Sequence, residues 1–348
     1  MLLTDEADSR GRVTLMLHLT GRCNLRCRHC YMEGGPDRRD TLATGPVLEA
    51  IAAAPGLGVG ALYLTGGEPT LHPDLEAVLD AAAALGRSVE TTLCSNGTRL
   101  TPAFAEGLAQ RRFRLNISLD GEAAFHDRFR RLKGSRDAAA GGAAMAIAAG
   151  VPLTLVMSVG RTNLGQVEPM IGEALAMGAA AFRAQPLLDL GRGQQLSGDQ
   201  LAAAELDRLI LTLNDWANRL SGSMAISLIG QSIRYLRAHP CAAYVCNGGG
   251  CHRRVEREVK KIVVRETGDI LPEATNLSPA FAVGRLGEAP LRQLMLDWLE
   301  HDYPRFDDLC RRTYARHVPG WDKAVIPWDQ LLAAASHEAG SVATPTLH

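Results

Sequence analysis

The sequence lacks an excess of either charge: 37 Lys and Arg stand against 38 Asp and Glu in 348 residues, a formal net charge of −1. That balance supplies no counter-ion drive toward nucleic acid or an anionic bilayer, so neither is expected as a partner. A basic and then apolar export signal is also missing. The first residues, Met1-Leu2-Leu3-Thr4-Asp5-Glu6, are acidic instead, and a cytoplasmic protein is expected. A membrane-length apolar run is absent as well: the uncharged stretch 138–160 is broken by four glycines and Pro152, where a spanning helix needs ~20 apolar residues. It reads as an Ala-rich helix, a stop at Gly150 and a buried strand. There is no Gly-x-Ser-x-Gly elbow, no His-Glu-x-x-His and no Walker loop, which removes the commonest hydrolase, zinc-protease and nucleotide-binding signatures.

What is present is a composition of 46% hydrophobic residues with 35 glycines, ordinary for a globular α/β protein and too apolar for a disordered one. The length suits one large domain with a smaller appendage. Candidate strands at 13–19, 60–65, 88–94, 113–119, 151–158 and 180–187 alternate with helical stretches at 44–54, 73–85, 102–111, 136–149 and 163–177. Strict βα alternation implies a parallel sheet with helical crossovers. A complete eight-unit barrel takes ~250 residues, and the pattern stops near Leu190. The expectation is therefore an α/β fold with a partial (β/α)6 TIM-type barrel. An N-terminal segment (1–12) precedes the barrel (13–195). A helical linker (196–238) and a small C-terminal α+β domain ending in a helix (239–348) follow it.

Eight cysteines in a reducing compartment point to metal binding or catalysis rather than disulfides. Cys23, Cys27 and Cys30 share one loop directly after the first strand, and Cys241, Cys246 and Cys251 recur every five residues. Three sulfurs cannot close a tetrahedral zinc site alone; His18 or His29 would have to complete it, although His29 points elsewhere if all three thiols converge. Thiolates select iron-sulfur clusters, whose usual count is four cysteines, so three ligands leave one iron open. Lone Cys94, between apolar and β-branched neighbours, reads as a buried, inert thiol.

The Cys23-x3-Cys27-x2-Cys30 loop, followed by Thr65-Gly66-Gly67-Glu68-Pro69 after the second strand, resembles the radical S-adenosylmethionine superfamily over about 13–193. The resemblance implies a [4Fe-4S] cluster on Cys23, Cys27 and Cys30 whose open iron takes S-adenosylmethionine, and a flavodoxin- or ferredoxin-type electron donor. Gly66 and Gly67 would let backbone approach the ligand, and Glu68 offers a carboxylate to its ammonium group. Ser95, Asn96 and Ser118 resemble residues that line the cofactor, and His29 belongs with them. Arg131, with Arg128 and Arg130 as competitors, suits the cofactor carboxylate. Gly191-Arg192-Gly193 resembles a turn common in members with a C-terminal cluster domain.

The second cysteine group, with a hairpin turn at Gly268-Asp269, resembles the opening of the SPASM or twitch extensions that hold auxiliary clusters. Glu273 stands where those extensions usually carry cysteine, which argues against two auxiliary clusters. Cys241, Cys246, Cys251 and Cys310 suffice for one auxiliary [4Fe-4S] cluster. Three of them with a free thiol, an oxygen ligand from Glu273, or a zinc site are the alternatives. The expected activity is hydrogen abstraction in the epimerisation or cross-linking of a ribosomally made peptide; the alternative substrate is a tetrapyrrole, amino acid or sugar. Only 22 residues precede Cys23, so leader recognition is expected to fall to the enzyme body or to a separate peptide-recognition protein.

Overall fold

The computed structural model describes residues 3–4, 12–244 and 254–342. After a short strand β1 (Leu3–Thr4), the chain runs through β2 (Val13–His18), α1 (Thr44–Ala53), β3 (Val59–Thr65), α2 (Leu75–Ala83), β4 (Glu90–Ser95), α3 (Pro102–Gln110) and β5 (Arg114–Ser118). It continues with α4 (Ala123–Arg130), α5 (Ser135–Ala148), β6 (Leu153–Val159), α6 (Val167–Met177), β7 (Ala181–Pro186), α7 (Ala203–Arg219) and β8 (Ala225–Leu228). The remainder holds β9 (Gln231–Ser232), α8 (Ile233–Ala238), α9 (Val255–Glu258), β10 (Lys261–Val264), β11 (Asp269–Pro272), β12 (Gly284–Arg285), α10 (Leu291–His301), α11 (Tyr303–His317), β13 (Val325–Ile326) and α12 (Trp328–Val342).

All six strands expected from the sequence form, within a residue or two of their expected ends, and pair in parallel from β2 through β7. Their alternate residues split between two environments because side chains on a strand point to opposite faces. Leu15, Leu17, Leu62, Leu64, Leu93, Leu115, Ile117 and Leu155 are buried against the helices. The partial barrel is thus an open parallel sheet wrapped by helices, as βαβ crossovers require.

The sheet reaches further than the sequence indicated. The segment expected as a helical linker contains α7 but also β8, which extends the barrel parallel to β7, and β1 pairs with β8 in turn. On the other edge β10 lies parallel to β2, and β11 and β12 continue antiparallel, so eleven strands form one sheet. The C-terminal hairpin is therefore built onto the first barrel strand.

Among the described residues no helix is long and apolar enough to cross a membrane.

Candidate active site

The loop after β2 is folded by its own backbone and by two neighbours. The Cys23 amide bonds to the Gly35 carbonyl, and the amides of Gly67 and Glu68 donate to the Thr20 and Arg22 carbonyls at 2.7 and 2.8 Å. This contact explains the glycines: a Cβ on Gly67 would lie 2.3 Å from the Arg22 oxygen, and one on Gly66, whose φ is +142°, 2.6 Å from the Thr20 oxygen. The two glycines let β3 dock against the cysteine loop's own backbone, rather than only against a ligand as the sequence suggested. From the other side Arg192 grips the loop, its Nε donating to the Cys27 carbonyl at 2.8 Å and an Nη to the Gly34 carbonyl at 2.9 Å. The Gly191-Arg192-Gly193 turn is thus a clasp on the cysteine loop.

Cys23 and Cys27 are 7% and 9% exposed, and Cys30 is more open. Amide donors already point at the sulfurs: Leu25 to Cys23 at 3.4 Å, Gly34 to Cys30 at 3.3 Å, and the Asn96 side chain to Cys23 at 3.8 Å. N–H donors aimed at sulfur suit thiolates held on iron, because they stabilise charge on the ligand. Burial pushes the Cys23 thiol up to about 12 and the Cys27 thiol up to about 11. Deprotonation there requires a positive partner such as a metal centre. The residues present fit a cluster on three thiolates.

Glu68 is fully buried at the end of this arrangement. Its carboxylate accepts from the Asn96 amide (2.8 Å), the Ser95 hydroxyl (2.9 Å), and the amide and hydroxyl of Thr70 (3.2 and 2.8 Å). Burial raises its pKa while those donors pull it down; burial prevails. Asn96 also bonds Asn24, which reaches Thr98, so Ser95 and Asn96 join Glu68 to the cysteine loop. Ser118 closes β5, partly buried, in register with Val156 of β6.

The arginine expected at the cofactor carboxylate needs correction. Arg131 is exposed and takes a left-handed backbone (φ +57°) where α4 ends, which turns it out of the site. Its neighbour Arg130 points inward. It is 6% exposed and donates from Nε to Asp120 Oδ2 at 2.7 Å, and its charge lowers the Cys27 thiol. Sequence reading missed Asp120 as its anchor; the available signal was an acid directly after a buried strand, ten residues before an arginine-rich helix end. His29 turns away from the thiols and stacks on Phe129 with centroids 4.1 Å apart, and burial lowers it to about 3.

His18, the other histidine considered for zinc, is engaged elsewhere. Its Nε2 lies 3.4 Å from the Tyr31 hydroxyl and its Nδ1 3.8 Å from Glu266, which Arg38 holds at 3.0 Å. Glu266 belongs to the β10–β11 turn, so the C-terminal region contributes a buried carboxylate beside the cysteine loop. Cys94 also departs from expectation: it is partly exposed, because Leu93 takes the helix-facing side of β4 and leaves Cys94 on the opposite face with Asn116.

Of the second cysteine group, Cys246 and Cys251 lie outside the described residues. Cys241, in the turn Pro240–Ala242, is disulfide-bonded, against the expectation of thiols left free for metal, and it lines one cavity with Cys310, buried in α11, and with Glu258, Lys260, Glu273 and Tyr303. Glu273 has a left-handed backbone (φ +61°) and accepts the Lys260 amide; burial pushes its carboxyl up to about 7. No group of three or more His, Cys, Asp or Glu among the described residues is arranged to hold a single metal ion.

A family model described as the radical SAM superfamily matches residues 17–173. That stretch, less than half of the chain, is similar to radical SAM domains. An AdoMet-dependent heme synthase of Methanosarcina barkeri is 31% identical over 195 residues, 55% of this chain and 55% of that protein. A PqqA peptide cyclase of a Methylobacterium species is 28% identical over 285 residues, 80% of this chain and 71% of that protein. The chain spans about half the length of the first curated relatives it matches. The solved structure of anSMEcpe with bound AdoMet has a TM-score of 0.65 at 15% identity, covering 95% of this chain and 97% of that one. The two chains share a fold over nearly their whole length.

Proposed function

We propose that this chain is a radical SAM enzyme that modifies a ribosomally synthesised peptide by epimerisation or cross-linking. When bound, a [4Fe-4S] cluster and S-adenosylmethionine supply a 5′-deoxyadenosyl radical that abstracts a substrate hydrogen. Cys23, Cys27 and Cys30 hold the cluster in this reading. Glu68, fixed by Ser95, Asn96 and Thr70, receives the cofactor's ammonium group, and Arg130, fixed by Asp120, offers a bidentate fork to its carboxylate. Gly66, Gly67 and Ser118 complete the cofactor's surroundings, and His29, stacked on Phe129, falls outside them. The observation that carries the proposal is the hydrogen-bonded join between the cysteine loop and Glu68 through Asn96.

Cys241, once its disulfide is reduced, and Cys310 on the same cavity would hold an auxiliary [4Fe-4S] cluster in a SPASM- or twitch-like region that Cys246 and Cys251 complete. A flavodoxin- or ferredoxin-type donor supplies the electron, and a separate protein can present the peptide. The peptide reading is supported by likeness to the PqqA peptide cyclase and to anSMEcpe, one solved form of which holds a peptide. A second reading, a small-molecule substrate such as a tetrapyrrole, is favoured by the heme synthase relatives.

Anaerobic reconstitution with iron and sulfide counts tests the cluster assignments. About eight irons are expected in the wild type and about four in a Cys23/Cys27/Cys30→Ala variant. Cys27→Ala should abolish 5′-deoxyadenosine formation with dithionite, followed by chromatography. Cleavage that persists in that variant, or a wild type without iron, refutes the proposal.

A further inference from the structure

The hairpin of β10 and β11 carries one carboxylate to the cysteine loop. β10 pairs with β2 from Thr14 and Lys261 to Leu17 and Val264, and the turn that follows is closed by the Gly268 amide on the Arg265 carbonyl at 2.8 Å. That register lands Glu266 beside the start of the loop. Its Cγ lies 3.3 Å from where a Cβ on Gly21 would stand, two residues before the first thiol. The Gly21 carbonyl accepts the Gly35 amide, and the Gly35 carbonyl accepts the Cys23 amide, so the backbone packed on Glu266 is the backbone that holds Cys23. On its other side Glu266 faces His18 Nδ1 at 3.8 Å, and His18 Nε2 lies 3.4 Å from the hydroxyl of Tyr31, the residue after Cys30. The acid thus meets both ends of the cysteine motif, directly at Gly21 and through His18 at Tyr31.

Charge at this place is unevenly screened. The Glu266 side chain is 0% exposed, whereas the ions around it are open to water: Arg38 is 31%, Asp40 41% and Arg265 29% exposed. Arg38 donates to Glu266 Oε1 at 3.0 Å but divides its charge with Asp40, which accepts its Nε at 2.7 Å. Glu266 Oε2 has no hydrogen-bond donor among the described residues. Burial raises the Glu266 carboxyl, but His18, the acid's own backbone amide and Arg265 outweigh it and hold the group at about 2. It is ionised at neutral pH. Water screens the exposed ions far more than the buried one, so toward the cysteine loop the carboxylate dominates.

We propose that Glu266 sets the reduction potential of a cluster held by Cys23, Cys27 and Cys30, and keeps it low. The inference rests on the assignment of a cluster to these cysteines and adds a residue from outside the cysteine loop and the Gly66-Gly67-Glu68 turn. Reduction brings one more electron into the loop; a fixed negative charge beside it opposes that electron and makes the reduced centre a stronger donor. A strong donor is what reductive cleavage of S-adenosylmethionine requires. No bond forms or breaks at Glu266, and no proton moves. The C-terminal hairpin thereby tunes the chemistry of a loop to which it does not belong.

The test is a redox titration of the reconstituted full chain followed by electron paramagnetic resonance, with iron counted in every sample. The signal followed is the one that shifts when S-adenosylmethionine is added to a parallel sample. Glu266→Gln, which keeps an acceptor for Arg38 and removes the charge, should raise the ratio of reduced to oxidised cluster at a fixed poise by about threefold to tenfold, with iron retained. Glu266→Asp, which keeps the charge, should stay within about twofold of the wild type. Arg38→Gln, which removes the opposite charge, should lower the ratio. An unchanged ratio in Glu266→Gln overturns the proposal. So does a rise in both Glu266→Gln and Arg38→Gln, because water entering a loosened loop raises the ratio whichever charge is lost. Should Glu266→Gln retain too little iron to titrate, Arg38→Gln decides by sign: a lowered ratio supports the proposal, and an unchanged or raised one overturns it. A wild type without iron, or without a signal that S-adenosylmethionine moves, would instead refute the cluster assignment itself.

Discussion

Asp120 is wholly buried, and its two oxygens serve different parts of the fold: Oδ2 accepts from Arg130, and Oδ1 accepts the Ser158 amide at 2.9 Å. Burial, the largest single influence, would raise its pKa, but the Arg130 guanidinium and its hydrogen bond, together with His29 and His126, outweigh it and hold the carboxyl at about 2. Asp120→Asn leaves a buried guanidinium without its counter-charge, a loss of about 3 kcal/mol. Since the folded pKa is depressed, this contribution is present above the ordinary carboxylate range and is lost as the pH falls through about 2. Urea titrations of wild type and variant should therefore differ at neutral pH and converge toward pH 2; equal stabilities at pH 7 would remove Asp120 as the anchor. Neighbouring residues show where sequence stops being informative at this scale. Arg130 and Arg131 are chemically identical, and the end of one helical turn decides which enters the site. A left-handed residue at a helix end is a backbone event that composition does not announce.

At the scale of elements, legibility followed hydrophobic contrast. The six barrel strands were readable because each is a short apolar run between turn signals. β8 was not: Ala225-Ile226-Ser227-Leu228 is too short to stand out, and it becomes a strand only because the exposed edge of β7 pairs with it. α4 was missed for a related reason, being a helix of only eight residues whose inward face mixes Phe125 and Phe129 with the polar His126 and Arg130. The cysteine loop and Glu68 were legible as chemistry, but the reason for Gly67 was not, since it lies in the approach of two backbones. Gly67→Ala should therefore displace the loop, costing about 1–3 kcal/mol and lowering iron retained on reconstitution. Gly141→Ala, in α5 with open space around its Cβ position, should add up to ~1 kcal/mol from helix propensity and leave iron content alone. Equal iron retention in the two variants would contradict the close-approach account.

For the whole molecule, the continuous sheet matters more than the division of the sequence into barrel, linker and C-terminal part. Thr14 to Leu17 of β2 pair with Lys261 to Val264 of β10, and Val263, Val264, Ile270 and Leu271 are buried at that seam. Ending the chain after Ala238 would uncover the edge of β2, a template for pairing between molecules. The truncated protein is expected in the insoluble fraction or as large oligomers by size-exclusion chromatography. A folded monomer would show that β2 tolerates an open edge. The same seam sets an order of events. Arg38, in the cysteine loop, is tied to Glu266 across 228 residues of chain, so during synthesis the loop emerges long before its clamp exists. A nascent chain presents three cysteines in a loop still lacking this support, and the pocket is finished only when the hairpin lands on β2. Iron is thus best delivered to a chain whose hairpin has already closed over its cysteine loop.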